Sequence, residues 1–361
     1  MGIKIGINGM GRIGRCTLAS IIENDRNDVE VIKINASGPI ETNAHLLKYD
    51  SVHGKFKNNI EIDNDTMNVG KGPIKVFSSY DPADLDWSGV DVLLECSGKF
   101  KSREKAQLHL NQGAQKILIS APGKNVDKTI VYGVNHDKLT PKDLIVSNAS
   151  CTTNCLAPIA KVLNDAIGIK NGIMTTIHSY TGDQPTLDRR HSNLYRARAA
   201  ALSIIPTSTG AAKAIGEVLP ELNGKLDGSA LRVPTPNVSA VDLTFTANID
   251  TSVREINEII ARAANSSMKN IISYETEPKV SIDFNHEPYS ANFAPDQTKV
   301  IQDRLVRVLV WYDNEWGFSC RMVDNALLMG SCPLVMRYQP FDMKIPIHYH
   351  TKPVLSLICL E

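Results

Sequence analysis

The chain has 361 residues, and its 39 Lys+Arg balance 39 Asp+Glu, so its formal charge at pH 7 is zero. Neutrality excludes a basic footprint for nucleic acid or an anionic membrane over the chain as a whole, and 42% hydrophobic with 22% charged residues excludes a disordered chain. At about 100–200 residues per domain, the length implies two domains or at most three.

No apolar run approaches the ~18 residues of a membrane span. The opening MGIKIGINGMGRIGR is expected to be no signal peptide, because glycines and polar residues break its apolar stretch. It also fails the myristoylation pattern, since Gly6 stands where Ser or Thr is wanted. Seven scattered cysteines without an export signal lead to the expectation of free thiols in a reducing cytoplasm.

In chain order, Ile3–Asn8 reads as a strand, Ile13–Ile22 as a helix and Val29–Asn35 as a second strand. Short apolar runs at Ile74–Phe77, Val90–Cys96, Lys116–Ser120, Thr129–Val134 and Leu144–Ser147 predict further strands, with a helix at Ser102–Gln112 between two of them. Strands alternating with helices imply a mostly parallel sheet covered on both faces. The character changes near Ser150. Cys151–Ala166 reads as a helix that Pro158 should bend. Alternating stretches at Ile173–Tyr180, Ser229–Pro234, Val238–Ile249 and Leu305–Tyr312 predict a largely antiparallel sheet. Between the first two lies a long Arg-rich loop, Asp183–Ala200, and loops of that length are usually functional or disordered. Thr251–Met268 and Glu315–Met329 read as helices.

Gly9, Gly11 and Gly14 form G-x-G-x-x-G between the first strand and the first helix. Glycines permit a tight turn and a close approach to pyrophosphate, and the helix N-terminus offers unpaired N–H groups to it. A lone match is weak, but its place at the start of a βαβ unit favours dinucleotide binding. The carboxylate that usually holds the ribose 2′-OH at the end of the second strand is missing from Ile34-Asn35-Ala36-Ser37-Gly38. Either Glu30 or Glu41 serves instead, or the pocket tolerates a 2′-phosphate.

Cys151 follows Ser147-Asn148-Ala149-Ser150 and should open a helix, whose N-terminus favours a thiolate. Such a cysteine is as often a small buried residue as a nucleophile. Cys155, Cys16, Cys96 and Cys320 read as packing, and Cys-x-x-x-Cys without further ligands is a poor zinc site, so no metal is expected. His178 ends a strand and opens the long loop, where it is a candidate base. The bland reading of a lone histidine is structural, and it applies to His45, His53, His109, His136 and His286. Arg189, Arg190, Arg196, Arg198 and Arg232, with Thr207-Ser208-Thr209-Gly210 opening another helix, could build an oxyanion site. Their alternative is a solvated loop.

At this point the stretches INGMGRIGR, KYDSVHGKF, SNASCTTNCLAP, TTIHSYTGDQ, IIPTSTGAAKA, LRVPTPNVS and WYDNEWGFS carry a resemblance. In that order, over residues 2 to about 330, the chain resembles the phosphorylating glyceraldehyde-3-phosphate dehydrogenases. The resemblance implies an α/β architecture: a Rossmann-type doubly wound parallel sheet in residues 1–150, and an α+β catalytic domain with a largely antiparallel sheet in 151–314. The helix 315–330 would pack back on the first domain. It implies oxidation of glyceraldehyde 3-phosphate with NAD or NADP and inorganic phosphate to 1,3-bisphosphoglycerate, in glycolysis or gluconeogenesis. Cys151 would form a hemithioacetal and then a thioester, with His178 as general base and ion-pair partner.

By the same resemblance, Thr181 and Arg232 should meet the substrate phosphate. Ser150, Thr152, Thr209, Gly210 and Arg196 should meet the attacking phosphate, with a swap of Arg196 for Arg198 left open. Gly9, Gly11, Arg12, Ile13, Gly14, Ala36, Ser37, Ser97, Gly98, Ser120 and Asn314 should border the cofactor. A homotetramer is implied, in which the long loop, with Arg190, approaches a neighbouring subunit's adenosine ribose. Three departures stand out. Ala36 replaces the usual ribose-binding aspartate, Tyr80 replaces the arginine before Asp81-Pro82, and residues 331–361 have no family counterpart. The rival readings are an erythrose-4-phosphate dehydrogenase, which ends in hydrolysis, and a catalytically idle cofactor- or RNA-binding protein. No membrane and no specific nucleic acid is expected as partner.

Overall fold

The computed structural model describes residues 2–331. The expectations placed on the tail, its first residue Ser331 excepted, lie outside the described residues.

The first sheet grows from the centre outward. Ile3–Asn8 pairs in parallel with Val29–Asn35 on one side and Val92–Glu95 on the other. The chain builds Pro73–Phe77 beyond the second strand, then crosses over to Val92–Glu95, Lys116–Ile119, Ile145–Ser147 and Lys128–Thr129. Thr66–Asn68 and Glu61–Asp63 add an antiparallel edge, for nine strands among the described residues. The order reverses between Ile3–Asn8 and Val92–Glu95, which opens a crevice at their carboxyl ends. Ile5, Ile7, Val92, Leu94 and Leu118 are fully buried, as strands covered on both faces require.

The second sheet has eight strands among the described residues. Ile169–Ser179 lies between Leu226–Val233, to which it is parallel, and Ser239–Ala247, to which it is antiparallel. Ile205–Ser208 extends one edge, and Leu305–Tyr312 with three short strands extends the other. Its core includes Leu156, Leu163, Val241, Phe245, Ile260 and Val308, which join the helices Cys151–Ile167 and Val253–Ala264 to the sheet. The final helix, Trp316–Ser331, returns to the first sheet, where Met322, Ala326 and Met329 pack with Ile5 and Leu118.

Two expectations need correction. Thr129–Val134 is a strand only at Lys128–Thr129. The chain then turns, because Asn135 receives the Val131 N–H on its Oδ1 at 2.8 Å and returns its own N–H to the Val131 carbonyl at 3.2 Å. Thr207 and Ser208 belong to a strand, and the helix begins after Gly210, at Ala211. The helix that holds Pro158 runs from Cys151 to Ile167. Ile40–Lys48 is a helix that the sequence reading passed over.

Candidate active site

Cys151 is the first residue of a 17-residue helix. Ser150 caps it, accepting the Thr153 N–H on Oγ at 3.0 Å. The turn before it is forced: Ala149 is buried with φ of 56°, a left-handed conformation that costs an alanine about 1–2 kcal/mol. Hydrogen bonds hold that turn. Ser147 Oγ accepts from Ala149 N, and Asn154 Nδ2 donates to the carbonyls of Asn148 and Ser150. Asn325, on the final helix, donates to Asn148 Oδ1 at 2.6 Å.

The neighbouring strand Ile169–Ser179 delivers His178, whose Nε2 lies 3.5 Å from Cys151 Sγ. His178 Nδ1 is 2.7 Å from the Ser179 carbonyl oxygen, which can only accept, so the ring hydrogen sits on Nδ1 and the Nε2 lone pair faces the thiol. Arg232, on the adjacent parallel strand in register with His178, donates to the Ser179 carbonyl at 2.9 Å and to Thr181 Oγ1 at 3.1 Å. Burial first, and then the Arg232 charge, lower the His178 pKa to about 3. Burial pushes the Cys151 thiol up, against the opposing pull of Arg232 and the Thr152 N–H. Both shifts run toward the neutral forms of thiol and imidazole, while the 3.5 Å approach of Sγ to Nε2 is the contact that the expected ion pair needs.

A cleft of about 580 Å³ surrounds this pair and opens between the two sheets. Ser150, Thr152, Thr181, Arg196, Thr209, Gly210 and Arg232 all line it. Of the two loop arginines, Arg198 is 65% exposed and paired with Asp188, whereas Arg196 lines the cleft and contacts Asp183 at 3.3 Å. The Nε atoms of Arg196 and Arg232 are buried without an acceptor, so both guanidiniums hold unspent donors. Arg12, Ile13, Ser120 and Asn314 line the opposite wall. Asn314 is held by Ser239, whose Oγ donates to its Oδ1 at 2.8 Å.

A second cleft, of about 240 Å³, lies at the sheet's switch point and is lined by Gly9, Gly11, Ser37 and Ser97 among others. The glycine turn fits a dinucleotide. Gly9 has φ of 101°, and a Cβ there would stand 2.6 Å from Ser97 N. A Cβ at Gly14 would meet the Gly9 carbonyl at 2.0 Å, whereas Gly11, capping the helix Arg12–Glu23, has open space in front of it. A phosphate therefore has room against free helix N–H groups. Gly98, with φ of 71°, is exposed between Ser97 and Lys99. Ala36 is 1% exposed, packs into the core and lines neither cleft. Arg190 sits on the exposed loop and also lines neither.

Sequence reasoning missed the supports. Tyr312 Oη bridges Thr152 Oγ1 at 2.9 Å and Thr176 Oγ1 at 2.8 Å beneath the cysteine. Beneath the second cleft, Glu95 and His109 are fully buried; Glu95 accepts from Asn8 Nδ2 at 2.5 Å and from Ser97 N at 2.9 Å. The Arg12 guanidinium is held by Asp50 and Glu315, both at 2.5 Å, so it joins the glycine turn to the start of the final helix. His53 Nε2 meets Glu315 at 3.1 Å and His53 Nδ1 meets His286 Nδ1 at 3.3 Å. Cys16, His53 and Glu315 bring ligand atoms within 4.8 Å of one another, but Arg12 already holds that carboxylate. Arg12, Asp50, His53, Tyr312 and Glu315 lie in the resembling stretches INGMGRIGR, KYDSVHGKF and WYDNEWGFS, whereas Glu95, His109 and His286 lie in none of them.

The comparisons with known proteins agree with this geometry. The family profile described as "Glyceraldehyde 3-phosphate dehydrogenase, NAD binding domain" matches residues 3–103, and the one described as its "C-terminal domain" matches residues 150–314. The chain is 62% identical to the glyceraldehyde-3-phosphate dehydrogenase of Xanthobacter flavus over 332 residues, 91% of this chain and 99% of that protein. It is 61% identical to the protein of the same name from Cereibacter sphaeroides, covering 91% and 99%. It is 49% identical to glyceraldehyde-3-phosphate dehydrogenase 2 of Bacillus subtilis, covering 90% and 96%. With profiles over both sheets and relatives matched over nearly their whole length, the chain belongs to the glyceraldehyde-3-phosphate dehydrogenase family.

Proposed function

We propose that the chain oxidises glyceraldehyde 3-phosphate with NAD(P) and inorganic phosphate to 1,3-bisphosphoglycerate, using Cys151 as nucleophile and His178 as base. The observation that carries this reading is the Cys151 sulfur 3.5 Å from a histidine nitrogen that bears a lone pair, in a cleft holding Arg196 and Arg232. His178 Nε2 takes the thiol proton as sulfur adds to the aldehyde carbon and returns it to the new alkoxide, which becomes the hemithioacetal hydroxyl; it then takes that proton back as the hydride leaves for the cofactor. The Cys151 N–H, at the first helical position, has no intrahelical acceptor and is available to the developing oxyanion. Bound NAD(P) supplies the hydride acceptor. Inorganic phosphate then attacks the thioester carbon, and the sulfur leaves as thiolate.

Thr181 and Arg232 fit the substrate phosphate, because they already share a hydrogen bond beside His178. Ser150, Thr152, Thr209, Gly210 and Arg196 fit the attacking phosphate on the other side of the cysteine. Asp183 now bridges this region, accepting from Thr181 and facing Arg196, and an incoming phosphate would take its place. Gly9, Gly11, Gly14, Ser37, Ser97, Gly98, Ser120 and Asn314 fit the cofactor along both clefts. We take residues 1–150 with the helix 315–330 as the cofactor domain and 151–314 as the catalytic domain.

A homotetramer is supported by the long loop and the residues just after it, where Leu187, Leu194, Tyr195, Leu202 and Ile204 are exposed, Leu194 by 82%. No helix of the described residues is long and apolar enough to cross a membrane. The catalytic thiol fits a reducing cytoplasm, and the five described cysteines are free. NADP acceptance is supported by the absence of any carboxylate from the lining of the second cleft. The test is an initial-rate assay with glyceraldehyde 3-phosphate and erythrose 4-phosphate, both cofactors, and phosphate present or absent. Turnover of the triose that requires phosphate supports the reading. Turnover without phosphate would favour an erythrose-4-phosphate dehydrogenase, and no turnover would favour an idle binding protein.

A further inference from the structure

The second cleft has an unusual charge distribution. Its lining is formed by Asn8–Gly11, Asn35, Ser37, Ser79, Tyr80, Pro82, Leu85, Cys96, Ser97, Lys99, Phe100 and the buried His109. Lys99 is the one side chain of fixed charge in it, and no Asp or Glu lines it. Lys99 Nζ lies 4.4 Å from the centroid of the Tyr80 ring, which is 74% exposed. The described residues give Lys99 a ring contact and no carboxylate partner. A cation over an exposed ring is weakly held and readily exchanged for an anion. Arginine does not stand at position 80, and the ring and the lysine line the cleft together with Ser37 and Ser79.

Three carboxylates stand behind the lining. Asp84 accepts from Ser79 Oγ at 2.7 Å, Asp81 accepts from Ala83 N at 2.9 Å within its own turn, and the buried Glu95 accepts from Asn8 Nδ2 and Ser97 N. All are engaged locally and none lines the cleft. The Lys99 ammonium is thus the fixed charge that the lining itself presents to a second phosphate, where a carboxylate would repel it.

We propose that Lys99, resting on Tyr80, is a specificity residue that recognises the 2′-phosphate on the adenosine ribose of NADP. Ser37, in the same lining, contributes a hydroxyl donor. The inference rests on the NADP reading above and locates its attraction within one subunit, rather than in Arg190 of the long loop. Phosphate recognition by a single ammonium acts as a point charge, so an arginine should replace it and a neutral side chain should not.

The experiment measures binding of adenosine 2′,5′-bisphosphate and of adenosine 5′-monophosphate to the full chain by calorimetry, beside KM values for NADP and NAD. Lys99→Gln should weaken the bisphosphate and NADP about tenfold, at the low end for a charged hydrogen bond because the site is exposed. It should leave the monophosphate, NAD and kcat unchanged. Lys99→Arg should restore the bisphosphate, and the bisphosphate alone should weaken steeply with salt. If the wild type prefers the bisphosphate and Lys99→Gln leaves that preference intact, the assignment to Lys99 is wrong while the NADP reading survives. If the wild type binds bisphosphate no better than monophosphate, both are wrong. Equal losses of both nucleotides in Lys99→Gln would make the lysine a general contact of the cleft rather than a reader of the 2′-position.

Discussion

His178 faces Cys151 with its Nε2 at 3.5 Å from the sulfur, and a main-chain carbonyl holds its Nδ1 hydrogen on the far side. The ring can take one proton, and it can take it only from the direction of the thiol. Arg232 stands behind the ring, its Nη1 3.0 Å from His178 Nδ1, and its positive charge disfavours protonation of the ring.

His178→Asn removes that lone pair. Loss of a general base costs about 10²–10⁴-fold, so kcat should fall by that range. Alkylation of Cys151 by iodoacetamide at neutral pH should slow as well, because no group then receives the thiol proton. Cys151→Ser should lose turnover almost entirely while still binding cofactor. Unchanged alkylation kinetics in the histidine variant would separate the two residues functionally.

The two cleft arginines should divide by substrate. Arg232→Leu should raise KM for glyceraldehyde 3-phosphate roughly ten- to a hundredfold, as expected for a charge-assisted contact of about 1.5–3 kcal/mol. Unphosphorylated glyceraldehyde should be little affected. Arg196→Leu should instead raise KM for inorganic phosphate. A reversed pattern would exchange the two anion sites, and equal losses with every substrate would make the arginines structural.

The parts legible in the sequence were those set by local rules. A glycine turn between a strand and a helix, or a capped cysteine at a helix start, is fixed by residues a few positions apart. The parts that escaped depend on partners far along the chain. Arg12 reads as part of a phosphate motif, yet Glu315, 303 residues away, holds its side chain. Arg196 and Arg198 are indistinguishable by composition, and only the pairing of Arg198 with Asp188 turns one out to solvent. Thr129–Val134 has a strand's composition, but Asn135 supplies a side-chain acceptor that makes a turn cheaper than a ladder. Ala36 was read as facing the ribose, but its methyl group is drawn into the core.

The Arg12 clamp should matter to stability. Its guanidinium is held well above its ordinary pKa range by Glu315 and Asp50, despite the opposing effect of burial. Glu315→Ala leaves the partly buried Arg12 with Asp50 alone and His53 without its acceptor. Breaking one partner of a buried pair costs about 3–5 kcal/mol, and the retained Asp50 should reduce this to about 2–3 kcal/mol. Denaturant unfolding of the two proteins checks it. A difference below about 0.5 kcal/mol would show that the clamp is dispensable.

Acid should weaken the fold through His178. Its folded pKa is lowered to about 3 while its unfolded value is near 6.5, so the unfolded chain binds the extra proton between these values. The contribution is fully present above pH 6.5 and is lost as pH falls toward 3, with a slope of up to about 1.4 kcal/mol per pH unit. Asp50, lowered to about 2, and Glu315, also lowered, add acid sensitivity at lower pH, whereas His286, lowered by burial, shares the window below pH 6.5, so the comparison with a His178 variant isolates His178. His178→Gln should flatten the stability profile there. An unchanged slope would assign the acid sensitivity to another group.

Cofactor choice gives the last prediction. Ala36 follows Asn35 at the end of its strand and precedes Ser37, and both neighbours line the cleft while Ala36 does not. A methyl group can remain in the core there, but a carboxylate cannot be buried unpaired and must turn toward the cleft. Ala36→Asp therefore places a negative charge in a lining that has none, beside the wall where Ser37 stands. It should accept from an unmodified ribose hydroxyl and repel a 2′-phosphate, so the ratio of NADP to NAD efficiency should fall at least about tenfold. Turnover at saturating cofactor should stay near wild type, since Cys151 and His178 lie in the other cleft. Arg190→Leu should lower the same ratio only if the long loop of a neighbouring subunit reaches this cleft, so the two variants separate a local repulsion from an intersubunit attraction. A wild-type efficiency with NADP orders of magnitude below that with NAD would overturn the reading at once. Ala36 would then mark a relaxed NAD site, whose ribose is held by Ser37 and main-chain groups.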